Sequence, residues 1–514
     1  MTETKYDADV LIVGGGPSGS LCAYYLAKAG KEVILIDSEN FPRDKICGDF
    51  VSPVGLNELM EIGIWDLNDF KKTNVITGAT VYLDGVPLIT KSLPDMEGLP
   101  NYGRVIPRIT LDNWILEAAR KQGVQIITPC KLESYSVNDN CVNIDCNQEG
   151  KRKHFVTKII IGADGSNSKV ARIMHGKKPN PENKIVAVRA YFENTNCISK
   201  QAELFFTSKS FPGYYWFFPT SATTANVGIG MMLENFPKEE IHLKNLLLDM
   251  IENDESFKSK IGNGKATGKI VGFPLSIYNP KAPLVKDRVL LTGDAAGLVN
   301  SINGEGMQYA MQSGRWAAES IITCLGKNDL SAKSLKIFET KVKSEIGYDM
   351  SISNIVMQFI RNRNLNPLWL KLLAIMIAQA KKDEKYANIA GGILAGMVPT
   401  NTAINFYFIR KSLFRGLIFP FKGTLGIFTF LKNSIAFGAT SFFRAIKQRA
   451  EYWNWIKNIF SSILSALKLY SKRQNEKPNS FKHDNYSFFK IETDTISTNS
   501  ILQAETPNNL HIQK

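Results

Sequence analysis

The chain has 514 residues, is 44% apolar, and sets 62 Lys and Arg against 48 Asp and Glu, a net charge of +14. That length can bury one large core with a smaller region appended. Its seven Cys form no C-x-x-C pair and its five His form no cluster, which argues against a zinc site or a histidine triad, so no metal ligands are assigned.

Met1 to Asp9 is polar and acidic and runs straight into the first strand, so no secretory leader is expected, and a reducing cytoplasmic compartment is the expected one. Val10–Val13 reads as a buried strand. Gly14, Gly16 and Gly19 follow at G-x-G-x-x-G spacing, Ala23 to Lys28 reads as the next helix, and Val33-Ile-Leu-Ile-Asp37 as the second strand. The glycines serve a tight turn, close approach to a pyrophosphate and close helix–strand packing. The phosphates then meet the free N–H groups of the helix start, and Asp37 is placed for ribose hydroxyls.

Downstream, 79–89 reads as a hairpin turning at Asp84-Gly85. A helix opens at Arg108 and runs to Arg120, with Thr110 as its N-cap. Strands are expected at 124–128, 132–137 and 142–146, and then at Ile159-Ile-Ile-Gly-Ala-Asp164-Gly165. Residues 184–232 alternate over several strands of a large sheet, 238–259 is helical, and 288–325 returns to the first domain. There Val289-Leu-Leu-Thr-Gly293-Asp294 is followed by Asn303-Gly304-Glu-Gly306-Met307 and a helix. A second and third acid-bearing turn beyond the first glycine loop suits FAD better than a nicotinamide alone. Asp294 can hold the ribityl chain, and the helix start near Gly306 can face the pyrimidine edge of the flavin.

Two further segments carry a family likeness. Phe41-Pro-Arg43-Asp-Lys45-Ile-Cys47-Gly48-Asp49 follows the second strand, and Gly213-Tyr214-Tyr-Trp216-Phe-Phe218-Pro219 precedes Asn226-Val-Gly228-Ile-Gly230. On these motifs residues 7 to 325 resemble the geranylgeranyl reductase family of FAD-dependent oxidoreductases, within the class that shares the para-hydroxybenzoate hydroxylase fold. Flavin-dependent halogenases look similar in the first segment but carry Trp-x-Trp-x-Ile-Pro in the second. One departure is that Pro212 stands two residues before Tyr214 rather than three.

The resemblance implies an α/β (α+β) fold: a Rossmann-type FAD-binding domain over 1–325, with an inserted antiparallel-sheet substrate domain at about 76–107 and 180–275. It implies FAD contacts at Ser18, Asp37, Arg43, Lys45, Cys47, Gly48, Arg108, Leu132, Asp164, Gly293, Asp294, Gly304, Gly306 and Met307, beside the glycine loop. Tyr214, Trp216, Phe218 and Pro219 would line the substrate chamber. Cys47 is the candidate catalytic residue, its thiol pKa expected to fall beside Arg43 and Lys45. The implied activity is saturation of C=C bonds in a prenyl chain or related lipid, with NADPH or a reduced carrier protein as electron donor. The alternatives are an FAD-dependent monooxygenase or halogenase and a non-catalytic, flavin-bound membrane adaptor.

The C-terminal third differs in character. Residues 401–473 carry twelve Lys or Arg and a single acid, Glu451, together with eleven Phe. The longest uncharged run, 386–409, contains Pro399 and is too polar to span a bilayer. Basic charge interleaved with aromatics suits helices lying in a membrane interface, each cation near an anionic surface contributing about 1 kcal/mol. Residues 326–473 are therefore read as a helical C-terminal region whose 401–473 part lies on the cytoplasmic face of a membrane, the alternative being a helical cap that packs its aromatics on the flavin domain. Nucleic acid is not an expected partner, and 474–514 is read as a disordered tail.

Overall fold

The computed structural model describes residues 5–176, 184–233, 242–418 and 447–475. In chain order its helices are α1 (Pro17–Lys28), α2 (Pro53–Glu61), α3 (Asn68–Lys71), α4 (Arg108–Lys121), α5 (Lys169–His175), α6 (Leu243–Asn253) and α7 (Glu255–Ile261). They continue as α8 (Met307–Gly326), α9 (Ala332–Val342), α10 (Tyr348–Ile360), α11 (Asn366–Ala380), α12 (Glu384–Leu394), α13 (Phe406–Ile418) and α14 (Arg449–Asn475).

The strand Ala8–Val13 lies in the middle of an eight-stranded sheet, parallel to Val33–Ile36 on one side and to Lys151–Gly162 on the other. Val289–Leu291 and Gln125–Ile127 extend it outward, also in parallel. Val10, Leu11, Ile12 and Ile159 to Ile161 are fully buried, because a parallel sheet is covered on both faces and its strands read as unbroken apolar runs. On one face α1 packs tightly against α8: a Cβ on Gly314 would lie 2.3 Å from the Ser18 carbonyl oxygen.

Three local expectations are corrected. α1 begins at Pro17, not Ala23, because proline at N1 is pre-set for helix and Gly16 supplies the N-cap. α4 does start at Arg108, but Pro107 is its N-cap and Thr110 lies inside the first turn, donating its N–H to the Pro107 carbonyl at 2.9 Å. The helix expected over 238–259 is two helices, because Asp254 ends α6 and its side chain caps α7 at Phe257 N, 2.9 Å away. Residues 238–241 lie outside the described residues, as does nearly all of the tail read as disordered.

The second sheet has the order 265–266, 184–193, 224–232, 214–219, 201–206, 78–83, 86–92, with 271–276 also paired to 184–193. Its neighbours are antiparallel except for 201–206 beside 78–83, which run parallel. The Asp84-Gly85 hairpin turn is present, with both residues at positive φ (44° and 77°), as a two-residue type I′ loop requires. Strand alternation splits the aromatic run 214–218 between two faces. Tyr215 and Phe217 pack with Phe257 of α7, while Tyr214, Trp216 and Phe218 face the other way. On that second face Ile360, Trp369, Leu370, Leu373 and Leu394 of α10–α12 close over Leu204, Phe206, Phe211 and Trp216. A small third sheet joins Phe50–Val51, Gly103–Val105 and Asn74–Ile76.

Contacts gather 1–469 into one compact unit; of 470–514 only the end of α14 is described. Among the described residues no helix is long and apolar enough to cross a membrane, and no cluster of His, Cys, Asp or Glu could hold a metal ion.

Candidate functional site

The glycine loop is dictated by contacts. Gly14 sits at φ 107°, and a Cβ there would lie 2.3 Å from the Ala163 carbonyl oxygen; one on Gly19 would lie 1.9 Å from the Gly14 oxygen. Gly16 is different. A Cβ there would find only Arg43 Nη2 within 4 Å, at 3.7 Å. No described side chain caps α1 and its first turn holds no acid, so its N-terminal amides and the Arg43 guanidinium open onto the same space. An uncapped helix start beside a cation is the donor set for a diphosphate, and it fits that of FAD.

Arg43 is held in place by Asp37, six residues before it, and by the distant Asp112. Its guanidinium lies 3.5 Å from Asp37 Oδ2 and 3.3 Å from Asp112 Oδ2, and it stacks over the Phe41 ring at 4.6 Å. Asp112, fully buried, also takes two hydrogen bonds from Arg108, at 2.6 and 2.8 Å. Asp37 accepts from Gly15 N at 2.8 Å and from Glu39 N at 3.0 Å, which ties the second strand to the glycine loop.

Three sequence candidates direct their side chains inward. The Ser18 hydroxyl meets Thr292 Oγ1 at 3.0 Å, locking α1 to the Gly293 turn. The Asp164 carboxylate accepts from Ser168 Oγ, Lys169 N and Val170 N, capping α5. Leu132 is a core residue, 3% exposed.

The other candidates converge. Lys45 Nζ lies 3.3 Å from Asp294 Oδ2, the Ser166 hydroxyl donates to the same oxygen at 3.4 Å, and a Cβ on Gly306 would lie 3.6 Å from Asp294 Oδ1. At the start of α8, Glu305 accepts from Gln308 N at 3.0 Å, and burial pushes its carboxyl up to about 7. Met307 is buried in the first turn beside it. The Tyr214 hydroxyl donates to the Asn303 carbonyl at 2.6 Å, and a Cβ on Gly304 would lie 3.7 Å from that hydroxyl. The aromatic roof is therefore fastened to the loop before α8.

Gly48 passes directly beneath the roof: a Cβ there would lie 3.2 Å from the Phe218 ring and 3.6 Å from Trp216 Nε1. Pro219 ends the roof strand, its carbonyl accepting from Asn74 Nδ2 at 2.7 Å. Residues to which the sequence assigned no contact hold this approach. Asn226 accepts from Trp216 Nε1 at 2.9 Å and donates to the Cys47 carbonyl and to Asp49 Oδ2, both at 2.8 Å. The Tyr191 hydroxyl donates to the same Asp49 oxygen at 2.5 Å, and Arg189 clamps Asp44 at 2.6 and 2.7 Å. Asp49 stands in the quoted loop motif, and its positive φ of 64° marks a constrained turn. Its partners come from strands that no local pattern connects to it.

The expected acidification of Cys47 is reversed. Burial pushes its thiol up; Arg108 opposes that rise, whereas Arg43 and Lys45 are paired with carboxylates instead. Cys47 is a neutral thiol, its sulfur accepting from Asp49 N at 3.4 Å.

A diphosphate cradle on a Rossmann-type sheet, a second acid turn at α8 and a separate aromatic roof define an FAD-dependent oxidoreductase of the two-sheet class. Residues 7–224 match the FAD binding domain family, and 184–267 match the geranylgeranyl reductase catalytic domain. A digeranylgeranylglycerophospholipid reductase of Methanocella arvoryzae is 30% identical, over 67% of this chain and 84% of the relative. The conditioned medium factor receptor 1 of Dictyostelium discoideum is 26% identical, over 76% and 77%. Among solved structures, a geranylgeranyl bacteriochlorophyll reductase-like protein of Thermoplasma acidophilum superposes with a TM-score of 0.59 at 24% identity, covering 79% of this chain and 95% of that one. The chain belongs to the geranylgeranyl reductase family, and FAD is its cofactor.

Proposed function

We propose that the protein saturates carbon–carbon double bonds of a prenyl chain, with the Cys47–Gly48 loop and the strand bearing Tyr214, Trp216 and Phe218 at its reacting end. The observation that carries this reading is the apolar, aromatic surrounding of the Cys47–Gly48 loop, where Trp216 and Phe218 lie against Gly48 and α10–α12 add only apolar side chains to the same cluster, which suits an extended apolar substrate better than a small acid. FAD, once reduced by the electron donor, would supply the hydride. Arg43 and the start of α1 would hold its diphosphate, and Lys45, Asp294 and the start of α8 would face its ribityl and pyrimidine parts. The second carbon of the double bond needs a proton. The neutral Cys47 thiol is the donor we assign to it. The electron donor would be NADPH or a reduced carrier protein.

The test is anaerobic. Reduced protein mixed with a geranylgeranyl lipid is expected to regain oxidised-flavin absorbance while the lipid gains mass in steps of two hydrogens. A flavin that stays reduced with several prenyl lipids and reoxidises only in oxygen would move the assignment to a monooxygenase or halogenase.

A lipid substrate also gives the basic C-terminal region a role at a membrane surface. On α14, Trp453, Phe460, Leu464 and Leu467 follow i, i+7, i+11, i+14 spacing and are each 57–62% exposed, while Ile459 and Ala466 on the opposite face are buried. Lys457 and Lys468 flank the exposed stripe. Such a helix can lie in an interface with its aromatic face down. Sedimentation with anionic phospholipid vesicles is expected to carry the protein down, and Trp453→Ser with Phe460→Ser and Leu464→Ser to leave most of it in solution. Equal sedimentation of both would remove the membrane reading.

A further inference from the structure

The second sheet meets the Cys47–Gly48 loop along one row that crosses three of its strands. Register sets Tyr191 opposite Asn226, and Asn226 opposite Phe218. Residues directly opposite each other in a sheet share a face, so the three side chains reach the loop together. Tyr191 goes to Asp49, Phe218 to Gly48, and Asn226 stands between them, fully buried.

The Asn226 amide has one workable orientation. Trp216 Nε1 can only donate and therefore claims Oδ1, at 2.9 Å. Nδ2 then gives one hydrogen to the Cys47 carbonyl and the other to Asp49 Oδ2, each at 2.8 Å. A flipped amide would set its NH2 against the indole N–H and its oxygen against two oxygens. The two acceptors stand on either side of Gly48, so one side chain holds both ends of the short turn that carries the thiol. Within that turn the Cys47 sulfur accepts from Asp49 N at 3.4 Å. Arg189 and Tyr191 hold the flanks, at Asp44 and Asp49; Asn226 takes hold of Cys47 itself. The same amide fixes the indole of Trp216, whose Nε1 lies 3.6 Å from the Cβ position of Gly48.

We propose that Asn226 is a positioning residue for the reduction. It acts through Cys47, setting where the thiol stands, and through Trp216, setting the ring beside it. This rests on the prenyl reading above and deepens it by assigning the side chain that aims the proton donor. A displacement of the donor by a fraction of its reach is enough to slow transfer, because the reacting atoms must be held in contact and in line.

The test is Asn226→Ala in the flavin-loaded full chain, with two readouts. The first needs no substrate: iodoacetamide labelling of each cysteine, followed by peptide mass. Freed from Asn226, Cys47 is expected to label about fivefold faster or more than in the wild type. The buried Cys22, Cys130, Cys141, Cys146 and Cys324 should keep their wild-type rates. The second readout is turnover of a geranylgeranyl lipid, where kcat is expected to fall by about tenfold to a hundredfold. KM for that lipid should stay within about twofold, since the apolar contacts remain. Asn226→Ser serves if the alanine variant does not fold; its hydroxyl can keep one of the bonds, so the same pattern is expected at smaller amplitude. Cys47 labelling at the wild-type rate overturns the proposal. So does faster labelling of all these cysteines together, which would mean general loosening, and so does an unchanged kcat. If no prenyl lipid is turned over by the wild type, the prenyl reading falls, and the labelling pattern still decides whether Asn226 holds the loop.

Discussion

Gly19→Val is expected to yield protein that retains no FAD and melts well below the wild type. The Cβ position is 1.9 Å from the Gly14 carbonyl oxygen, and both partners are backbone, so neither can swing aside. The companion substitution separates fold from ligand. Gly16→Ala has φ −72°, an ordinary value for alanine, and its Cβ would touch only Arg43 Nη2, at 3.7 Å. The Gly16→Ala apoprotein should therefore melt like the wild-type apoprotein. Its FAD affinity should nevertheless fall by about tenfold or more, because the methyl group fills the space that a diphosphate needs against the helix start. Flavin content after purification and apoprotein melting curves check both. Unchanged FAD affinity in Gly16→Ala would mean that the diphosphate does not sit at α1.

Asp49→Asn is expected to stabilise the protein in a pH-dependent way. Asp49 is fully buried, and burial raises its carboxyl from 3.8 to about 6, opposed by hydrogen bonds from Tyr191 and Asn226. The folded state therefore holds the proton more tightly than the unfolded chain does. The stability gained from that proton is fully present below pH 4 and is lost as pH rises through about 6. Above that the buried charge costs about 3 kcal/mol relative to acid conditions. Asparagine offers the same acceptor to Tyr191, tolerates the positive φ of 64° and does not ionise. The melting temperature of Asp49→Asn minus that of the wild type should widen by a few degrees between pH 4 and pH 7, then level off. A difference that stays flat across this range would show that Asp49 ionises as freely in the fold as in the unfolded chain.

Much of the flavin end was legible because its rules are local. Gly14 and Gly19 are required by steric contacts within the turn and against the neighbouring strand, and Val10–Val13, Val33–Ile36 and Ile159–Ile161 are apolar runs that only a covered parallel sheet buries. The Asp84-Gly85 turn declares itself for the same reason, since few residue pairs adopt two positive φ values in a row. The start of α1 was misplaced because proline at N1 extends a helix beyond its apolar periodicity, and the N-cap of α4 because Pro107, not Thr110, takes that position.

The reacting end resisted the same reading. Arg43 and Lys45 stand four and two residues before Cys47, yet Asp112 and Asp294 claim their charges, and Arg108 is the cation that faces the thiol. Asp49, Tyr191 and Asn226 form one hydrogen-bonded group, although 142 and 177 positions separate Asp49 from its two partners.

The sequence by itself determined the dinucleotide loop, the alternation that turns Tyr214, Trp216 and Phe218 to one side, and the family. Each depends on backbone geometry within a few residues or on side-chain period along one element. Tertiary structure decided which carboxylate each cation pairs with, that burial holds the Cys47 thiol neutral, and that α10–α12 pack on the aromatic face of the second sheet. Burial and charge pairing depend on what the rest of the chain brings alongside, and no spacing along the sequence encodes that.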